Sequence, residues 1–97
     1  MGKYVFGFKG GGMPESEEEA KRVMDAWMAW YGGMGDAVVD VGNPFGASTT
    51  VGGNGTSGLT GYSIITADSL DDAASKAGGC PILADGGTVE VYEALDM

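Results

Sequence analysis

The hydrophobic and polar positions along the chain change period several times. Lys3 to Phe8, KYVFGF, alternates Tyr4, Phe6 and Phe8 on one side with Val5 and Gly7 on the other, the period-2 pattern of a strand. Neither side is polar, so both faces of that strand are expected to be covered. GGGMP then interrupts the pattern, and Ser16 with Glu19 forms a capping-box signature behind Glu17 and Glu18. Ala20, Val23, Met24, Trp27, Met28, Tyr31 and Met34 follow at spacings of three and four, the stripe of a long amphipathic helix. GGMG supplies a glycine for its C-terminus.

Asp36 to Val41 reads as a Val-rich strand, NPFGAS as a turn, and Ser48 to Val51 as a short third strand, a candidate for a sheet edge. The glycine-rich GGNGTSGLTG leads to a fourth strand, Tyr62 to Thr66. ADSLDDAASKAGG then predicts a helix capped by Asp68 or Ser69, with Leu70, Ala73, Ala74 and Ala77 inward. Gly78, Gly79 and Pro81 end it before a last strand, Thr88 to Ala94. The order β-α-β-β-β-α-β, with one strand as an excursion, is that of a ferredoxin-like α+β domain: a split βαβ pair, two helices on one face of an antiparallel sheet. One domain is expected over residues 1–97. The face opposite the helices also carries apolar side chains, which predicts a homodimer that covers it.

Composition narrows the chemistry. Fourteen acidic residues against five basic ones give a net charge of -9, which repels nucleic acid and anionic membranes as partners. No apolar run approaches the roughly 20 residues of a membrane span. One cysteine and no secretory-type apolar segment predict a cytoplasmic protein. The chain has no histidine, which removes the commonest general base, the commonest metal ligand and every Ser-His or Cys-His pair. No metal or other cofactor is expected; Asp68, Asp71 and Asp72 read as helix-start acids rather than as a metal cluster.

Residues 61–94, GYSIITADSLDDAASKAGGCPILADGGTVEVYEA, resemble the C-terminal half of the YCII-related proteins in their GYSII strand, ADSLDDA helix start, CP helix end and GTVEV strand. The likeness extends upstream through GNPFGASTTV and covers nearly the whole chain. It implies a dimeric α/β barrel of two ferredoxin-like subunits packed sheet to sheet. Two departures limit what it carries over: the histidine–aspartate pair of members near the namesake cannot exist here, and GTSGLTGY stands where another branch has DGPF before its GYY strand.

Four features remain as candidate chemistry. Cys80 follows a helix C-terminus, where the dipole disfavours a thiolate and no basic residue is adjacent; a buried, inert thiol is the stronger reading. Asp40, in VVDVG, and Glu90, in VEVYE, interrupt apolar strands. Each is either a partly desolvated acid–base group with a raised pKa or a satisfied structural acceptor at the dimer interface. Tyr4, Phe6, Phe8, Trp27 and Tyr31 line an aromatic pocket or simply fill the core. GGNGTSGLTG lacks the Lys-Ser/Thr ending of a P-loop and reads as a strand connection with lid potential.

The functional expectation is a cleft near the dimer interface that binds a compact small molecule, with Tyr4, Phe6, Trp27, Asn43 and Ser63 as binding residues. If it is catalytic, Asp40 or Glu90 acts as the base of a metal-free proton transfer or elimination, with Tyr4 or Ser63 as hydrogen-bonding partner. The alternative is a non-enzymatic binding or interaction module.

Overall fold

The computed structural model describes residues 2–11, 15–53, 55 and 57–96. Four strands and two helices follow in the order β1 (Gly2–Lys9), α1 (Glu17–Met34), β2 (Val38–Asp40), β3 (Leu59–Ala67), α2 (Leu70–Ala77) and β4 (Thr88–Ala94). All pairings are antiparallel and the sheet order is β2-β3-β1-β4. This is the ferredoxin-like α+β arrangement, the subunit architecture of the dimeric α/β barrels.

Alternation along β1 decides which side chains meet the helices. Tyr4, Phe6 and Phe8 are buried with Ile65 and Ala67 of β3, Ala73 and Ala77 of α2, and Cys80 and Ile82 of the turn that follows. In the register, Tyr4 lies opposite Ile65, Phe6 opposite Ser63 and Val91, and Phe8 opposite Val89. The other parity, Val5 with Ile64 and Tyr92, and Gly7 with Tyr62 and Glu90, forms the open face. Gly7 is covered there by Leu59, whose Cδ2 would stand 2.8 Å from an added Cβ.

Helix α1 begins where Ser16 Oγ accepts from the Glu19 amide at 3.1 Å. Glu19 does reach back, but its carboxylate accepts from the Glu15 amide at 3.2 Å, one residue earlier than a capping box predicts. The helix runs through Gly32 and Gly33 and ends at Gly35, whose φ of 54° and amide bond to Tyr31 O close it. Its inward face is turned from the expected stripe: Trp27, Trp30 and Met34 pack on the core while Met24 and Met28 are about two-thirds exposed, at 65% and 66%. Trp30 carries that rotation. It stacks on Phe6 at 5.9 Å, and its Nε1 donates to Lys76 O at 3.0 Å, tying α1 to the end of α2.

Ser69 caps α2 by accepting from the Asp72 amide at 3.0 Å. Of the four residues expected inward, Ala73 and Ala77 are buried whereas Leu70 and Ala74 are exposed. The expected strand at Ser48–Val51 does not form: all four residues are exposed, Val51 at 93%. β-branched composition is a context-dependent preference for a half-buried pleated surface, and here the strand before the segment, three-residue β2, already has an irregular register. The chain instead touches β3 briefly, through Phe45 N to Thr60 O at 2.9 Å. The strand expected over Asp36–Val41 is likewise shortened, by a 3₁₀ turn at Gly35–Ala37 and by the positive φ of 79° at Gly42.

Candidate functional site

A cavity of about 630 Å³ opens between α1 and the end of the sheet where β1, β3 and the segment after β2 meet. Its walls are Phe8 from β1, Val23, Met24, Trp27 and Tyr31 from one side of α1, and Val41, Gly42, Asn43 and Pro44 from the turn after β2. Thr60 and Gly61 contribute from β3, and Ile82 and Asp85 from the turn before β4. The space exists because the side chains beneath α1 are unequal. On the helix-facing side of β3, Gly61 and Ser63 are small where Ile65 is large, and α1 buries no residue completely. Phe8 meets Trp27 edge to face at 5.1 Å, and Tyr31 leans on Trp30 at 4.9 Å.

The turn after β2 is held by backbone fit. Gly42 lies so close to Tyr62 that an added Cβ would fall inside that residue's carbonyl group. This approach presents Val41 O to two hydroxyls. Ser63 Oγ lies 2.6 Å from it and Tyr31 Oη 3.3 Å, and the two hydroxyl oxygens are 2.7 Å apart. Ser63 is fully buried. Burial pushes the Tyr31 phenol above its ordinary pKa of 10.0, with the nearby Cys80 adding to the rise and the Ser63 hydrogen bond opposing it.

The expected site residues fall into three places. Trp27 and Asn43 line the cavity. Ser63 stands behind it, holding Tyr31. Tyr4 and Phe6 belong to the buried core between sheet and helices. Asp40 and Glu90 are on the open face: the Asp40 carboxylate accepts from Gly42 N at 2.9 Å and from Tyr62 Oη at 3.2 Å, and Glu90 accepts from Tyr92 Oη at 2.8 Å with Lys9 Nζ at 3.4 Å. The raised pKa expected for Glu90 is corrected. The Tyr92 hydroxyl holds it below its ordinary value; burial opposes this, and Lys9 adds to the lowering. A carboxylate with two such partners needs no proton to be satisfied.

Cys80 is buried, and loss of water contact pushes its thiol up to about 11, only partly offset by the Ile82 amide. Among the described residues no group of three metal-ligating side chains comes together. Nor is any described helix long and apolar enough to cross a membrane. Two residues of consequence escaped the sequence reading. Trp30 satisfies the same spacing as Trp27 and Met34 and was legible from it. Asp85, the carboxylate among the cavity's lining residues, was marked only by being an acid in the turn before GG.

Fold and site together define a small ferredoxin-like α+β protein with an aromatic cavity between its first helix and its sheet. No protein-family model matches the chain, and no curated protein matches it. Among solved structures it is similar to the 5-chloro-2-hydroxyhydroquinone dehydrochlorinase TftG from Burkholderia phenoliruptrix AC1100, in complex with 2,5-dihydroxybenzoquinone. The TM-score is 0.60 at 22% identity, over 100% of this chain and 96% of that one. At that identity the likeness establishes a shared fold.

Proposed function

We propose that the cavity binds a compact, planar, hydroxylated aromatic or quinonoid molecule. The observation that carries this reading is the cavity itself. Its volume falls within the ~300–1,000 Å³ of ordinary small-molecule sites, and its apolar walls carry a few convergent polar groups in Asn43, Thr60, Tyr31 and Asp85. A flat ring suits the aromatic surfaces of Phe8 and Trp27, and the ligand held by TftG is of this class. Chemistry in such a site is a metal-free proton transfer or elimination, with Asp85 as the carboxylate within reach. We read Asp40 and Glu90 as structural acceptors of the open face.

Calorimetric titration with 2,5-dihydroxybenzoquinone tests the binding. The expected result is a dissociation constant below 1 mM that is lost in Ala20→Trp, which fills the cavity from α1. No heat of binding at 1 mM, where affinity is worth only about 4 kcal/mol, would overturn it. Binding without turnover is the second reading, favoured by a chain with no histidine and a Tyr31 held protonated. Chloride release from 5-chloro-2-hydroxyhydroquinone separates the two.

The open face carries Val5, Ile64, Tyr62 and Tyr92, and a second copy of the chain placed sheet to sheet would cover it, in keeping with the YCII-related resemblance. Sedimentation at micromolar concentration is expected to give twice the 9.8 kDa chain mass and half that for Ile64→Arg. A wild-type monomer would sink the pairing. A cytoplasmic setting suits the buried unpaired thiol.

A further inference from the structure

The hydroxyl of Tyr31, a cavity-lining residue, and that of Ser63 behind it share two protons among three contacts, and only one arrangement uses them well. Ser63 has a single O–H. Its oxygen lies 2.6 Å from Val41 O, a separation that two oxygens hold only with a proton between them. The Ser63 proton is therefore given to Val41 O. The 2.7 Å contact between Ser63 Oγ and Tyr31 Oη needs its own proton, and the Tyr31 phenol is the donor left to supply it. The reverse arrangement would have Tyr31 donate to Val41 O at 3.3 Å and leave the 2.6 Å contact with no proton.

From this we infer that Tyr31 is a specificity-determining residue that presents only lone pairs to the cavity, so that the site selects ligands bearing a hydroxyl or N–H donor over ligands that only accept. The inference rests on the reading of this cavity as a small-molecule site. Burial keeps the phenol protonated well past neutral pH, so the proton committed to Ser63 is present under ordinary conditions. Ser63 is fully buried, and water does not compete for that bond. A part-buried acceptor closed off by a ligand without a donor loses its hydrogen bond to water and gains none in return, which is how such sites discriminate.

Two rings of the same core test the preference: hydroquinone, which donates, and 1,4-dimethoxybenzene, which only accepts. Calorimetry on the full chain is expected to show hydroquinone at least tenfold tighter. Tyr31→Phe is expected to weaken hydroquinone about tenfold and to leave 1,4-dimethoxybenzene as tight or tighter, since the unmatched acceptor is gone. If the phenol were a donor to ligand, the same substitution would instead weaken the dimethoxy compound, and that result overturns the inference. Equal affinity of the wild type for the two rings overturns it without any variant, should Tyr31→Phe fold poorly. Binding of both rings with no preference leaves the cavity reading intact and removes only the role given to Tyr31. Failure of both rings, and of 2,5-dihydroxybenzoquinone, to bind removes both.

Discussion

Trp30 offers the sharpest test of how the helix layer is held. Its indole stacks on Phe6 at 5.9 Å, meets Trp27 edge to face at 5.7 Å and donates Nε1–H to Lys76 O at 3.0 Å. A Trp of this kind removes roughly 150 Å² or more from water, about 4 kcal/mol at ~25 cal/mol per Å². Because the side chain is only part-buried, Trp30→Ala is expected near the low end of large-to-small losses, about 3 kcal/mol. Trp30→Phe keeps the ring on Phe6 and forfeits the indole donor. Lys76 O is not orphaned by that change, since the Gly79 amide also approaches it at 3.4 Å, so the loss should stay near 1 kcal/mol.

Urea melts followed by far-ultraviolet circular dichroism, at one fixed protein concentration, read both numbers. Thermal melts should show the Phe variant roughly 4–8 °C lower and the Ala variant about three times that. A loss under about 1 kcal/mol for Trp30→Ala, indistinguishable from Trp30→Phe, would refute the claim that this residue anchors α1.

Two further outcomes follow from charge and burial. With its thiol pushed up to about 11, Cys80 in the native protein should react with iodoacetamide at pH 8 at least ~100-fold more slowly than in strong urea, where a free thiol titrates near 8.5; rates within tenfold would contradict its burial. Asp72 is held below its ordinary value of 3.8, first by the Asp68 amide and then by Lys76. A carboxylate lowered in the folded state contributes stability that is present above its unfolded pKa and lost as pH falls through the folded one. Stability measured from pH 5 down to 3 should therefore decline less steeply in Asp72→Asn than in the wild type, and identical slopes would show the contact to be inert.

Much of this architecture was visible in the order of residues. The period-2 runs at Lys3–Phe8 and Thr88–Ala94 lie within β1 and β4, and the Ser16 and Ser69 caps start the helices where the pattern places them. What periodicity cannot supply is which parity of a strand the helices cover when both are apolar. That choice put Glu90 and Tyr92 on the open face and Val89 and Val91 inside. The same gap hid the cavity, which depends on Gly61 and Ser63 lying opposite α1 across the layer, a juxtaposition of residues 30 and 32 positions from Tyr31. Ser48–Val51 misled for a different reason. β-branched composition expresses a willingness to extend, but these four residues stay exposed and join no strand.

The placement of β1 also governs the order in which the molecule can be completed. β1 is an interior strand: Gly2 lies opposite Ala67 on one side, and Lys3 opposite Ala94 on the other. During synthesis the strand waits for β3 before it gains its first partner, and one flank stays unpaired until residues 88–94 leave the ribosome. Both pairings close long loops, which slows folding and prolongs the exposure of KYVFGF as a bare apolar edge. For a nascent chain, the hazard therefore lies in β1, and the remedy arrives with β4.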